Sequence, residues 1–135
     1  MKLLLVLSVL LSSLFLLNKS EELKKNDLYV SYNKALEIAK NSDKTIMLKL
    51  TAEHCGYCKK MDREVLIQKK VRTLLKEHFV SVEIDVDKET IPLGIKRTIT
   101  PTFIFVDKNE KILSRINGSW NKSDFLDLLD NRIKK

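Results

Sequence analysis

The chain has 135 residues, 44% of them hydrophobic and 32% charged, which suits one domain with a buried core. Its formal net charge of +7 favours acidic partners or membrane surfaces, yet its lysines are mixed with acids, as in Glu21-Glu22-Leu23-Lys24-Lys25. No basic block with interleaved aromatics tracks along the sequence, so nucleic acid is not an expected partner.

The first residues are set apart by composition. After Met1 and Lys2, residues 3–17 are apolar except for Ser8, Ser12 and Ser13. A charged start followed by such a run reads as a secretory signal. Fifteen residues make a helix of about 22 Å, short of the roughly 30 Å hydrocarbon core, which favours a cleaved signal. No clear A-x-A site follows, so an N-terminal membrane anchor stays open as the alternative for residues 1–17. Residues 18–30 read as a linker and 31–135 as the folded domain. Export would place the chain in the periplasm or an equivalent compartment, where disulfides persist.

The domain begins with a helix over 31–40, capped by Ser31, with Ala35, Leu36 and Ala39 at helical spacing. A strand follows over 46–51, and a helix starts at Cys55. Its apolar stripe runs through Met61, Val65 and Leu66, then restarts at Val71, Leu74 and Leu75, which implies one bent helix or two. Residues 79–86 alternate strictly and form a strand. Residues 88–98 are irregular, with Pro92 and Gly94 and room for a short helix. Residues 102–106 and 111–116 form a hairpin around a turn at 107–110. Gly118 ends the second of these strands, and Asn121 or Ser123 caps a last helix carrying Phe125, Leu126, Leu128 and Leu129. Tyr29 and Tyr32 are expected to pack with the first helix. The order implies an α/β fold, a central mixed β-sheet flanked by helices on both faces.

The only cysteines are Cys55 and Cys58, in Cys55-Gly56-Tyr57-Cys58, at the junction of a strand and a helix. That is the setting of a redox pair, in which one thiol attacks and the other resolves. A zinc site wants about four ligands, and His54 and His78 are the only imidazoles to join the two thiols, with His54 awkwardly adjacent to Cys55. No metal and no cofactor are expected.

The Cys-Gly-Tyr-Cys motif stands about forty-five residues before Thr100-Pro101-Thr102-Phe103, with Gly118 ahead of the last helix. On these motifs and this element order, residues 31–133 resemble the thioredoxin-like family, specifically its small exported members. The resemblance implies a thioredoxin-like fold, a cis peptide bond at Thr100-Pro101 facing the cysteine pair, and backbone there that pairs with an extended substrate. It also implies protein thiol-disulfide exchange, with Cys55 as nucleophile, Cys58 as resolving thiol, and Gly56, Tyr57, Thr100 and Pro101 at the substrate. Cys-Gly-Tyr-Cys and the threonine before Pro101 are similar to bacterial periplasmic disulfide isomerases, but residues 18–30 are too short for the dimerisation domain those proteins carry.

Three positions depart from thioredoxin. His54 stands where it has an aromatic residue, Lys49 where it has a buried acid, and Ile99 where it has a glycine. His54 and Lys49 are candidate redox-tuning residues, because positive charge favours the thiolate and stabilising the reduced form makes a site more oxidising. Each has a plainer reading: His54 as an exposed neighbour, Lys49 as a side chain reaching an edge. The expected partners are exported proteins with thiols or disulfides, plus a thiol redox partner. A reductase role is slightly preferred. A disulfide isomerase or oxidase, or a non-catalytic binding or assembly factor on the same fold, is the alternative.

Overall fold

The computed structural model describes residues 1–134, without the side chains of 2–5 and 20–26. Parts of the apolar run 3–17 and of the polar segment 18–27 therefore lie outside the described side chains. Helix α1 runs over Lys2–Asn26. From Val6 to Leu17 its large apolar side chains are exposed. Among the described residues, no helix is long and apolar enough to cross a membrane.

Leu28 is buried, and Tyr29 forms a parallel bridge to Ser81, with the Val30 N–H donating to the Ser81 carbonyl at 3.0 Å. Tyr29 thus bridges to the strand Phe79–Asp85 and packs against the core that holds Met47 and Phe79. That core is on the other side of the sheet from the first helix of the domain, so the expected packing of Tyr29 with that helix is not what the fold shows. Helix α2 covers Tyr32–Lys40, and the Ser31 side chain caps it by accepting the Lys34 N–H.

Strand β1 (Thr45–Thr51) pairs in parallel with β2 (Phe79–Asp85) and antiparallel with β3 (Thr102–Val106). Strand β4 (Ile112–Asn117) closes the hairpin, giving the order β2-β1-β3-β4. The mixed sheet follows from chain geometry. A helical crossover joins β1 to β2 and permits parallel pairing, whereas a short turn joins β3 to β4 and forces antiparallel pairing. Gly118, at φ +88°, turns the chain away after β4, in a region that costs glycine little.

The crossover is broken. Helix α3 (Gly56–Met61) passes into a π-helical turn over Asp62–Leu66, and α4 spans Lys69–His78. Gln68 is extended, at φ −64° and ψ 132°, which resets the helical phase so that Val71 and Leu75 face the sheet again. A single turn of 3-10 helix sits at Pro92–Gly94. Helix α5 covers Lys122–Ile133, and of its two candidate caps Asn121 makes the bond, accepting the Asp124 N–H.

The sheet is apolar on both sides. One face, with Met47, Phe103 and Phe105, packs under Met61, Val65, Leu75 and Phe125 from α3, the π turn, α4 and α5. The other face, with Ile46, Leu48 and Ile104, packs under Ala35 and Ala39 of α2. Alternation along each strand feeds both cores, as a sheet covered on two sides requires.

Candidate functional site

The register of the sheet brings three chain segments to one end. β1 and β2 end together, with Thr51 opposite Asp85. β3 starts beside them, with Leu50 opposite Thr102. Thr51 and Pro101 are the next residues beyond that last pair. The loop carrying the cysteines and the loop carrying Thr100 and Pro101 therefore leave the sheet side by side.

Cys55 and Cys58 are joined, with sulfurs 2.07 Å apart. Cys55 is the N-cap of α3, and its Sγ accepts the Cys58 N–H at 3.1 Å. Cys58 lies one turn in and is the more enclosed, 2% exposed against 8% for Cys55. Gly56 is exposed between them, and Tyr57 projects outward, 66% exposed. Thr100-Pro101 is a cis peptide bond, and Pro101 is buried at its site. The Pro101 carbonyl accepts the Gly118 N–H at 2.8 Å, and Thr102 Oγ1 donates to the Ile99 carbonyl at 2.7 Å. Among the described residues, no hydrogen bond is made to the Thr100 backbone. Ile99 lies exposed beside it.

His54 is exposed on the rim. Lys49 lies within the fold, fully buried on the face of β1 beneath α3, and does not reach an edge. Its ammonium pairs with Asp62 and, at 2.7 Å, with Glu83. It also lies 5.6 Å from the centre of the Tyr29 ring. Each contact has a local origin. Glu83 is the register partner of Lys49 across β1 and β2. Asp62 follows Cys58 by four residues, one helical turn, and so shares the face of the helix that looks down on β1. Burial pushes the Tyr29 phenol well above its ordinary pKa, with the charges of Glu83 and Asp62 adding to the rise.

Asp62 and Glu83 are site residues that motif reading passes over. A signal for Glu83 was present, since strict alternation in β2 sets it on the inward face with Phe79 and Ser81. The buried ammonium is thus met by two partly exposed carboxylates, which neutralise it in place.

The sequence profile of the thioredoxin-like domain matches residues 32–133. The chain belongs to the thioredoxin-like family. It is 36% identical over 84 residues to thioredoxin-1 of Drosophila melanogaster, a match spanning 62% of this chain and 74% of the relative. Its fold superposes on a thioredoxin from Thermus thermophilus with a TM-score of 0.66, at 31% identity, over 77% of this chain and 85% of the other. It also superposes on the DsbH oxidoreductase with a TM-score of 0.64, at 25% identity, over 78% and 83%. The family's members are thiol-disulfide oxidoreductases, and with its Cys55–Cys58 pair this chain is one of them.

Proposed function

We propose that the protein is exported and works mainly as a reductase of disulfides in other exported proteins, with Cys55 as the attacking thiol and Cys58 as the resolving one. The observation that carries the assignment is the bond from the Cys58 N–H to Cys55 Sγ at the start of the helix. Once the pair is reduced, that amide and the helix end favour a thiolate on Cys55.

In the forward cycle the Cys55 thiolate attacks one sulfur of a substrate disulfide. A mixed disulfide forms and the other substrate sulfur leaves as a thiolate, which takes a proton from water. Cys58 then gives up its proton and attacks Cys55 Sγ. The 55–58 disulfide forms and the second substrate thiolate leaves. Two electrons have passed to the substrate, and a dithiol partner restores the pair. The unpaired Thr100 backbone beside Pro101 supports a role in holding an extended substrate chain, and the exposure of Gly56 and Tyr57 supports their contact with it.

Neutralisation of Lys49 favours the reductive direction. An isolated cation would hold a thiolate and raise the potential, whereas this ammonium is already taken up by two carboxylates. Its influence on the sulfurs therefore runs through Asp62 and Glu83. His54 adds its influence from the rim. The apolar segment 3–17 behind Lys2 supports export.

Trapping tests the roles. Cys58→Ser accumulates mixed disulfides with substrates, and Cys55→Ser does not; equal trapping by both variants refutes the assignment. Equilibration against glutathione tests the direction. A potential near the about −270 mV of thioredoxin agrees with a reductase, and one near about −120 mV points to an oxidase. A pair that never cycles would leave a binding or assembly factor.

A further inference from the structure

Beyond the cysteine pair, one carboxylate ties the loop that carries the cysteines to the loop that leads to Thr100-Pro101. The Val86 N–H donates to the Thr51 carbonyl at 2.9 Å, the last bond as β2 leaves the sheet. The Asp87 N–H then donates to Asp85 Oδ1 at 3.0 Å, which turns the chain and sends the Asp87 side chain across the end of the sheet. Its two oxygens divide. Oδ2 accepts the backbone N–H of Glu53 at 3.1 Å, and Oδ1 pairs with Arg97 Nη2 at 2.6 Å. The other arm of Arg97, Nη1, donates to the Val86 carbonyl at 3.3 Å.

Glu53 lies two residues before Cys55, in a turn closed by the Cys55 N–H donating to the Ala52 carbonyl at 3.3 Å. Arg97 lies four residues before Pro101. A guanidinium held by two arms has a fixed plane, and a carboxylate fixed at both oxygens has a fixed orientation. Bonds from Glu53 and Arg97 to one side chain therefore set the separation between the cysteine loop and the Thr100-Pro101 loop. The bonds from Glu53 and Arg97 hold the Asp87 carboxyl below its usual pKa, so the strap is charged at neutral pH.

We infer that Asp87 and Arg97 are positioning residues, which set the width of the cleft for an extended substrate chain. This rests on the oxidoreductase reading above. The pair is largely exposed, with Arg97 at 62% and Asp87 at 32%, so its contribution to global stability is small. Its effect falls on geometry, where a displacement of about 1 Å is worth up to about a hundredfold in rate.

The test compares two disulfides on the full chain: oxidised glutathione, and an unstructured peptide carrying a reporter thiol through a single disulfide. For Asp87→Ala and for Arg97→Ala, kcat/KM on the peptide falls about tenfold more than on glutathione, chiefly through KM. The double variant loses no more than Asp87→Ala alone, because that change already removes both bonds of the strap. Asp87→Asn keeps an acceptor for the Glu53 N–H and loses the ion pair, so it falls between. Thermal unfolding checks that each variant is folded. Equal losses on both disulfides, or additive losses in the double variant, overturn the strap. A wild-type chain that exchanges with neither disulfide overturns the oxidoreductase reading instead.

Discussion

Replacing Lys49 by methionine isolates the charge of the buried cluster, since the two side chains are similar in length and Lys49 is fully buried. The substitution takes from Asp62 and Glu83 the ammonium they share. Both bond to the same nitrogen, so their oxygens lie within about 5 Å of one another, twice a hydrogen-bond length. Two like charges at about 5 Å repel by about 3 kcal/mol at an effective dielectric of 20. Side-chain exposures of 26% and 20% let water relieve part of this, while the lost attraction to the ammonium adds to it. The expected loss of stability at pH 7 is about 2–4 kcal/mol, in line with removing one partner from a buried ion pair. Acid neutralises carboxylates and with them the repulsion, so the penalty is largest at neutral pH and shrinks as pH falls. Urea unfolding with the disulfide intact, at pH 7 and again near pH 4.5, reads the difference. A loss that is the same at both pH values would show that Lys49 matters through packing alone. The cluster also becomes more negative, so Cys55 holds its thiolate less well and the equilibrium potential moves lower.

Two further outcomes follow from packing and surface charge. Phe125 is fully buried and packs at a tilt against Phe103 with ring centres 5.0 Å apart, so Phe125→Ala costs about 3–5 kcal/mol in the same urea assay. The Asp27 carboxyl is held below its ordinary pKa by a hydrogen bond and charge from Lys76, with Arg72 adding to it. Its contribution is present above the unfolded carboxylate pKa and lost as pH falls through the folded one. Asp27→Asn therefore changes unfolding slightly at neutral pH and not at all near pH 2, and a difference that grows with acid would contradict this.

What the sequence reveals about this molecule depends on how local the signal is. The cysteine pair, Thr100-Pro101, the Ser31 cap and the alternating strand read at 79–86 are each encoded within a few neighbouring residues, and the structure shows them there, the strand ending one residue earlier at Asp85. Lys49 shows where locality ends. Its type and its apolar neighbours mark it as unusual, but its partners are set by the register of β1 on β2 and by the turn of the helix over β1. Tyr29 is similar, because a bridge of one residue to Ser81 has no period to detect. Asp87 and Arg97 lie in irregular loops, where composition indicates only exposure, and their meeting depends on three strands ending at one level.

The backbone N–H of Trp120 reaches Met61 Sδ at 3.1 Å, and Met61 is fully buried. Met47, the other methionine of the domain, is fully buried as well. Thioethers and thiols compete for the same peroxides and hypohalous acids, and a sulfoxide in a core replaces an apolar contact with a polar one. With Met61 already engaged by an amide and Met47 sealed against the sheet, the folded domain shows such reagents its dithiol before any other sulfur. Within the domain, oxidation of sulfur and redox turnover are thereby directed to one place, from which a thiol partner can reverse disulfide formation.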